Sequence, residues 1–255
     1  MEKATTPPRR ESLGAWREYM KERGKLVDAP WIIEDEELEA MAMSFAASFA
    51  STLPPQYDYA SNPFCFSEYI ENTLEHEPRE KLAAIEFGGP GSRLFAGFTP
   101  GFFSHTIGVC LKDNREASWK KWDAPRNHTV LEADMFERKT YQMIQKVIAE
   151  QPVGLIISRM EGAIGWLPDD PAILANLISR WYGLLRENGL LFVQYNSSTH
   201  MKAYDYGKRT AMVNRWIRFL QENYSDTIEV EGETSSFRIH KKKGAPEDLP
   251  LLPSL

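Results

Sequence analysis

From Lys81 onward, short apolar runs alternate with helical segments, and this rhythm constrains the fold more than any other feature. Leu82-Ala83-Ala84-Ile85 reads as a strand that runs into a glycine-rich turn, Glu86-Phe87-Gly88-Gly89-Pro90-Gly91-Ser92, after which a helix is expected. Thr106–Leu111, His128–Leu131 and Val153–Ile157 read as the second, third and fourth strands, with a helix over Tyr141–Glu150. Pro171–Glu187 reads as a long helix with proline in its first turn, stopped by Asn188-Gly189 before a fifth strand, Leu190–Tyr195. Apolar strands alternating with helices predict a mostly parallel sheet, helices on both faces, and right-handed crossovers. The rhythm breaks after a helix over Lys208–Tyr224. Thr227–Gly232 and Ser235–His240 are two short strands with only Glu233 and Thr234 between them. That spacing predicts a hairpin, hence an antiparallel strand at the sheet edge.

Residues 1–80 read as a helical extension. Residues 1–12 are polar and aperiodic, whereas Leu13, Trp16, Tyr19 and Met20 fall on one face of a helix ending near Lys25. After the break at Pro30, the acids Glu34, Asp35, Glu36 and Glu37 complement the dipole of a second helix, which ends before Pro54-Pro55. Tyr57, Tyr59 and Phe64 fall in a loop, and Phe66–Glu77 reads as a third helix. Residues 81–242 form the expected α/β domain, and 243–255 are expected to be a disordered tail.

Composition narrows the partners. Lys and Arg total 30 against 36 Asp and Glu in 255 residues, a formal net charge of -6. Proteins that grip nucleic-acid backbone are usually basic, so a duplex nucleic-acid partner is disfavoured and a small or modest-sized substrate preferred. The basic residues Lys202, Lys208, Arg209, Arg215 and Arg218 form either a phosphate-facing patch or an ordinary solvated helix face. The two cysteines, Cys65 and Cys110, stand singly, in neither a zinc pattern nor a disulfide framework. The five histidines lack metal-ligand spacing, so no metal site is expected. No secretory pattern opens the chain, and no run approaches the ~18 apolar residues of a membrane helix. A cytoplasmic protein without a membrane partner is expected.

The chemistry is expected at the carboxyl ends of the strands, where an open parallel sheet binds its ligands. The glycine turn lets backbone approach a ligand closely, and N–H groups at the following helix start are available as donors. Asp113 ends the second strand, 22 residues beyond Gly91, a distance that suits a hydrogen bond to ribose or simply a helix cap. Asp134 ends the third strand, placed to accept from an adenine amino group with Met135 packing on the ring, or to cap the next helix. Glu161 and His200 follow the fourth and fifth strands, as candidate rim residues or exposed loop side chains. Trp166 and Tyr195 line a substrate pocket or belong to the core.

These residues together resemble a class I S-adenosylmethionine-dependent methyltransferase, over about Lys81–Lys242. Glu86-Phe87-Gly88-Gly89-Pro90-Gly91 is similar to that family's first motif, which implies Glu86, Gly88, Gly89 and Gly91 as contacts to S-adenosyl-L-methionine. Asp113 matches the ribose-binding acid, and Asp134 with Met135 the adenine side. Arg159-Met160-Glu161-Gly162 falls where the family places residues near the methionine moiety, so Arg159 joins the cofactor set. Trp181–Val193 resembles the family's helix, glycine turn and fifth strand, and the closing hairpin resembles its antiparallel last strand. The resemblance implies a three-layer Rossmann-like methyltransferase fold, with a mostly parallel seven-stranded sheet and an antiparallel C-terminal hairpin. It also implies a methyltransferase activity, with the extension over the cofactor mouth. One departure is that Glu86 and Gly91 are five apart where six is common, with Pro90 where glycine is frequent. This motivates an alternative, a methyltransferase-fold binding or scaffold protein that no longer catalyses. A nicotinamide-dependent oxidoreductase is a third reading, one that would lack the closing hairpin.

Overall fold

Seven strands join one sheet in the computed structural model, which describes residues 35–74, 81–121, 123–159, 164, 171–195, 207–233 and 235–252. They are β1 (Ala83–Phe87), β2 (His105–Cys110), β3 (His128–Glu132), β4 (Val153–Ser158), β5 (Leu185–Gln194), β6 (Ile228–Gly232) and β7 (Ser236–Lys241). Their order is β3-β2-β1-β4-β5-β7-β6. Strands β1 to β5 pair in parallel, and β7 pairs antiparallel to both β5 and β6. This is the mostly parallel seven-stranded sheet with an antiparallel C-terminal hairpin that the resemblance implies. The hairpin lies at the sheet edge, as its spacing suggested, and its two strands pair antiparallel. β7 lies inside the sheet, and β6 forms the edge.

Alternation along the strands divides the core in two. Ile85, Phe87, Ile107, Val109, Ile156, Leu191 and Val193 point to one face. There they meet α5 (Arg138–Ile148), α6 (Pro171–Leu184) and α7 (Gly207–Tyr224). Leu82, Ala84, Leu155, Ile157, Leu190 and Phe192 point to the other face, as period-two side-chain geometry requires. That second face is covered by α1 (Asp35–Phe49), α2 (Cys65–Thr73) and α3 (Ser92–Phe95), and Trp119 of α4 (Ala117–Lys121) joins the same cluster. Phe49 and Phe66 stack at 5.2 Å, and both meet Phe192 of β5 edge-on. The described part of the extension is thus a layer of the sandwich. The helix expected over Leu13–Lys25 lies outside the described residues. None of the described helices is long and apolar enough to cross a membrane.

One expectation is sharpened and two are revised. The helix after the glycine turn is a single turn, because Gly97 and Pro100-Gly101 follow it closely. Helix α6 ends at Leu184, earlier than Asn188-Gly189 suggested, although Asn188 does take a left-handed conformation with φ 60°. Lys241 closes that helix end, with Nζ donating to Leu185 O at 3.1 Å and lying 4.4 Å from the Tyr182 ring. Finally, residues 243–252 of the expected disordered tail run back over the fold. Leu249 and Leu252 are buried, and Trp216 Nε1 donates to Pro250 O at 2.7 Å. Two leucines that reach the core outweigh the proline between them. Leu249→Ala is expected to lower stability by about 2–5 kcal/mol in a denaturant titration.

Candidate active site

The crossovers from β1 run one way along the sheet to β2 and β3, and those from β4 run the other way to β5. The carboxyl ends of β1 and β4 therefore frame the switch point, where this topology opens a crevice. A cavity of about 340 Å³ lies there. Its floor is Glu86 and the turn Gly88–Gly91, one wall is Arg93 and Arg159, and its roof is Met41, Ser44 and Phe45 of α1. A wider groove of about 940 Å³ between α5 and α6 includes Gln151, Pro152 and Val153, at the amino end of β4 and away from this crevice.

Glu86 is the last but one residue of β1 and is almost fully buried. Its Oε2 accepts the Gly91 N–H at 2.7 Å, while Oε1 makes no hydrogen bond among the described residues. Burial pushes this carboxyl up to about 7, against the opposing pull of Arg159 and the Gly91 N–H. Arg159, just beyond β4, donates Nη1 to Ser44 Oγ at 3.2 Å, and its guanidinium stacks 4.5 Å over Phe45. Arg159 is thus tied to the roof while it acts electrostatically on the Glu86 carboxyl of the floor.

The glycine turn folds back over β2. Gly88 N donates to Val109 O at 2.8 Å, and Gly89 forms an antiparallel bridge with Val109. Gly91 takes φ 79°, a conformation that side chains disfavour. Beneath the turn, Gly108 of β2 leaves a notch for the Pro90 carbonyl. A Cβ on Gly108 would stand 2.0 Å from Pro90 O.

The two strand-end aspartates lie outside this cavity. Asp113 is held by Arg115, whose backbone N–H and Nε both donate to Oδ1 while Nη2 donates to Oδ2 at 2.8 Å. The Arg115 bonds hold this carboxyl down at about 2. Arg115 also bonds Asp123 and Ser92, the first residue of α3. Asp134 Oδ1 accepts the Phe136 N–H at 2.9 Å, a local turn bond. Met135 packs partly buried against the core, its carbonyl accepting the Tyr141 hydroxyl.

No family model matches the chain, and no curated protein matches it. Solved structures that it resembles include the MycE methyltransferase of the mycinamycin biosynthetic pathway, in complex with Mg and SAH. That match has 14% identity over 88% of this chain and 61% of that one, with a TM-score of 0.43. An O-methyltransferase family protein from Burkholderia thailandensis matches at 10% identity, over 77% and 64%, with a TM-score of 0.42. An rRNA methylase from Streptococcus thermophilus matches at 10% identity, over 69% and 94%, with a TM-score of 0.41. The chain spans less than two thirds of the length of the first two. Likeness at this level transfers no activity, so the site speaks through its own residues.

Of the sequence-derived set, the structure brings Glu86, Gly88, Gly89, Gly91 and Arg159 around one cavity. It sets Asp113, Asp134 and Met135 apart from it. Met160, Glu161, Gly162, Trp166 and His200 lie outside the described residues. Tyr195 is wholly buried, its hydroxyl donating to Glu233 O, so it belongs to the core. Tyr57 packs edge-on against Tyr69, Phe64 is buried and Tyr59 is exposed, so Met41, Ser44 and Phe45 form the roof that the extension was expected to supply. Sequence reasoning also passed over Arg93, Arg115, Gly108 and His128. Gly108 carried a signal, since a glycine inside a strand often marks a close backbone approach.

Proposed function

We propose that the chain is a class I S-adenosylmethionine-dependent methyltransferase whose cofactor's amino-acid end enters the cavity between α1 and the ends of β1 and β4. One observation carries this reading: a glycine turn and a buried carboxyl, only partly offset by Arg159 and the Gly91 N–H, lie together at the switch point of a sheet with an inserted antiparallel β7. The residues suit the cofactor's amino-acid end. Oε1 of Glu86, without a hydrogen bond among the described residues, invites a cation, and Arg159 lies beside it for a carboxylate. The cavity, about 340 Å³, falls in the range of small-molecule sites.

When bound, the cofactor supplies an activated methyl on a sulfonium. The chain's own part is alignment. Gly88 and Gly89, pinned to Val109, fix the floor, and Met41 and Phe45 shield the crevice from water. An acceptor that arrives deprotonated needs no further base. The roof from α1 closes over a space suited to a small or modest-sized acceptor, and the acidic net charge agrees with this.

A second reading, a binding protein of the same fold that no longer catalyses, is favoured by Asp113. Both its oxygens face Arg115 rather than the cavity. Isothermal calorimetry on the intact chain separates the readings. Saturable heat with S-adenosylhomocysteine, and none with NAD(H), is expected for the methyltransferase. A folded protein silent toward S-adenosylmethionine and S-adenosylhomocysteine would remove that assignment.

A further inference from the structure

The glycine turn is held from three sides, and only two of the restraints come from β1 and β2. The third comes from His128, the first residue of β3, which is 6% exposed. Its Nε2 lies 2.7 Å from Pro90 O. A carbonyl only accepts, so Nε2 carries the hydrogen. Nδ1 is then an acceptor, and it receives the Thr106 hydroxyl at 2.8 Å. One tautomer satisfies both partners. The Phe95 ring of α3 packs on the imidazole with centroids 5.9 Å apart, and a Cβ on Gly91 would meet Cε1 at 2.7 Å. Burial pushes the imidazole down to about 4, consistent with a neutral ring.

We propose that His128 is a positioning residue that fixes the Pro90 peptide, so that Gly88, Gly89 and Gly91 keep the ligand-facing backbone they show here. Its consequence for cofactor affinity rests on the methyltransferase reading above; its hold on the turn does not. The turn lies within reach of the ring because Gly108, without a side chain, lets the Pro90 carbonyl settle against β2. The interaction is directional, so the identity of the donor atom matters more than bulk.

Two substitutions separate the ring's two bonds. His128→Gln keeps a donor near the Nε2 position, whereas His128→Asn keeps only the Nδ1 side. In the ligand-free full chain, His128→Asn is expected to speed amide exchange at Gly88, Gly89 and Gly91 about tenfold, with His128→Gln within about threefold of wild type. The dissociation constant for S-adenosylhomocysteine should follow the same order. Equal exchange in the two variants, or a uniform rise across the whole sheet, would overturn the proposal. If neither variant folds, nitrogen NMR of the wild-type imidazole decides. A protected Nε2–H supports the proposal, and an Nδ1–H tautomer sinks it. Absence of S-adenosylhomocysteine binding by the wild type would strike the methyltransferase reading alone, because the exchange arm needs no ligand.

Discussion

Gly108→Ala is expected to weaken S-adenosylhomocysteine binding by about 10²-fold, although the residue touches no ligand. A Cβ there stands 2.0 Å from Pro90 O, 2.1 Å from Pro90 C and 2.7 Å from Gly91 N. All three are backbone atoms, so no flexible side chain can swing away, and the turn itself must move. Overpacking of this kind also lowers stability by about 1–3 kcal/mol. Gly183→Ala is the contrast. Nothing lies within 4 Å of its added carbon, and it sits in α6, where alanine favours helix. It is expected to raise stability by about 0.5–1 kcal/mol. Calorimetry for binding and urea titration for stability check both. An alanine at 108 that binds like wild type would mean that the turn's placement is irrelevant to the site.

The second large effect is a pH dependence carried by Glu86. Its carboxyl titrates at about 7 in the folded chain against an ordinary 4.5. The folded state therefore holds its proton more tightly than the unfolded state. That contribution to stability is complete below pH 4.5 and is lost as pH rises through 7. The loss amounts to ~3 kcal/mol, since each unit is worth about 1.4 kcal/mol. Glu86→Gln keeps an acceptor for Gly91 and removes the titration. The variant should therefore match wild type near pH 4.5 and exceed it by up to ~3 kcal/mol at pH 8, in the absence of ligand. A ligand that brings a cation to this carboxyl draws its pKa down, so binding near pH 7 releases a proton. Binding heats in two buffers of different ionisation enthalpy measure that release. Parallel pH–stability curves for wild type and Glu86→Gln would show that the buried acid is another residue.

The strands were legible because parallel strands are buried on both faces. Leu82–Ile85 and Val153–Ile157 stand out as unbroken apolar runs for that reason. The cavity floor was legible because a strand, a glycine turn and an acid follow one another in sequence. The roof was not. Met41, Ser44 and Phe45 look like any helical face until the helix is laid over the sheet. Arg115 was missed because its partners, Asp113, Asp123 and Ser92, converge only in space, and an acid read alone says nothing of the cation that claims it. His128 was missed similarly, being 38 residues from the carbonyl it holds. The tail misled because its prolines and lysines outweigh, in a composition reading, two leucines that find the core.

The place of β7 has a consequence for biosynthesis. Emerging from the ribosome, the polypeptide completes β5 and β6 before the segment that must wedge between them exists. Until residues 236–241 are translated, both neighbours carry unsatisfied ladder groups, open to pairing with other nascent chains. A stop codon shortly before that segment would not trim an edge; it would take out an interior plank and leave the sheet in two pieces.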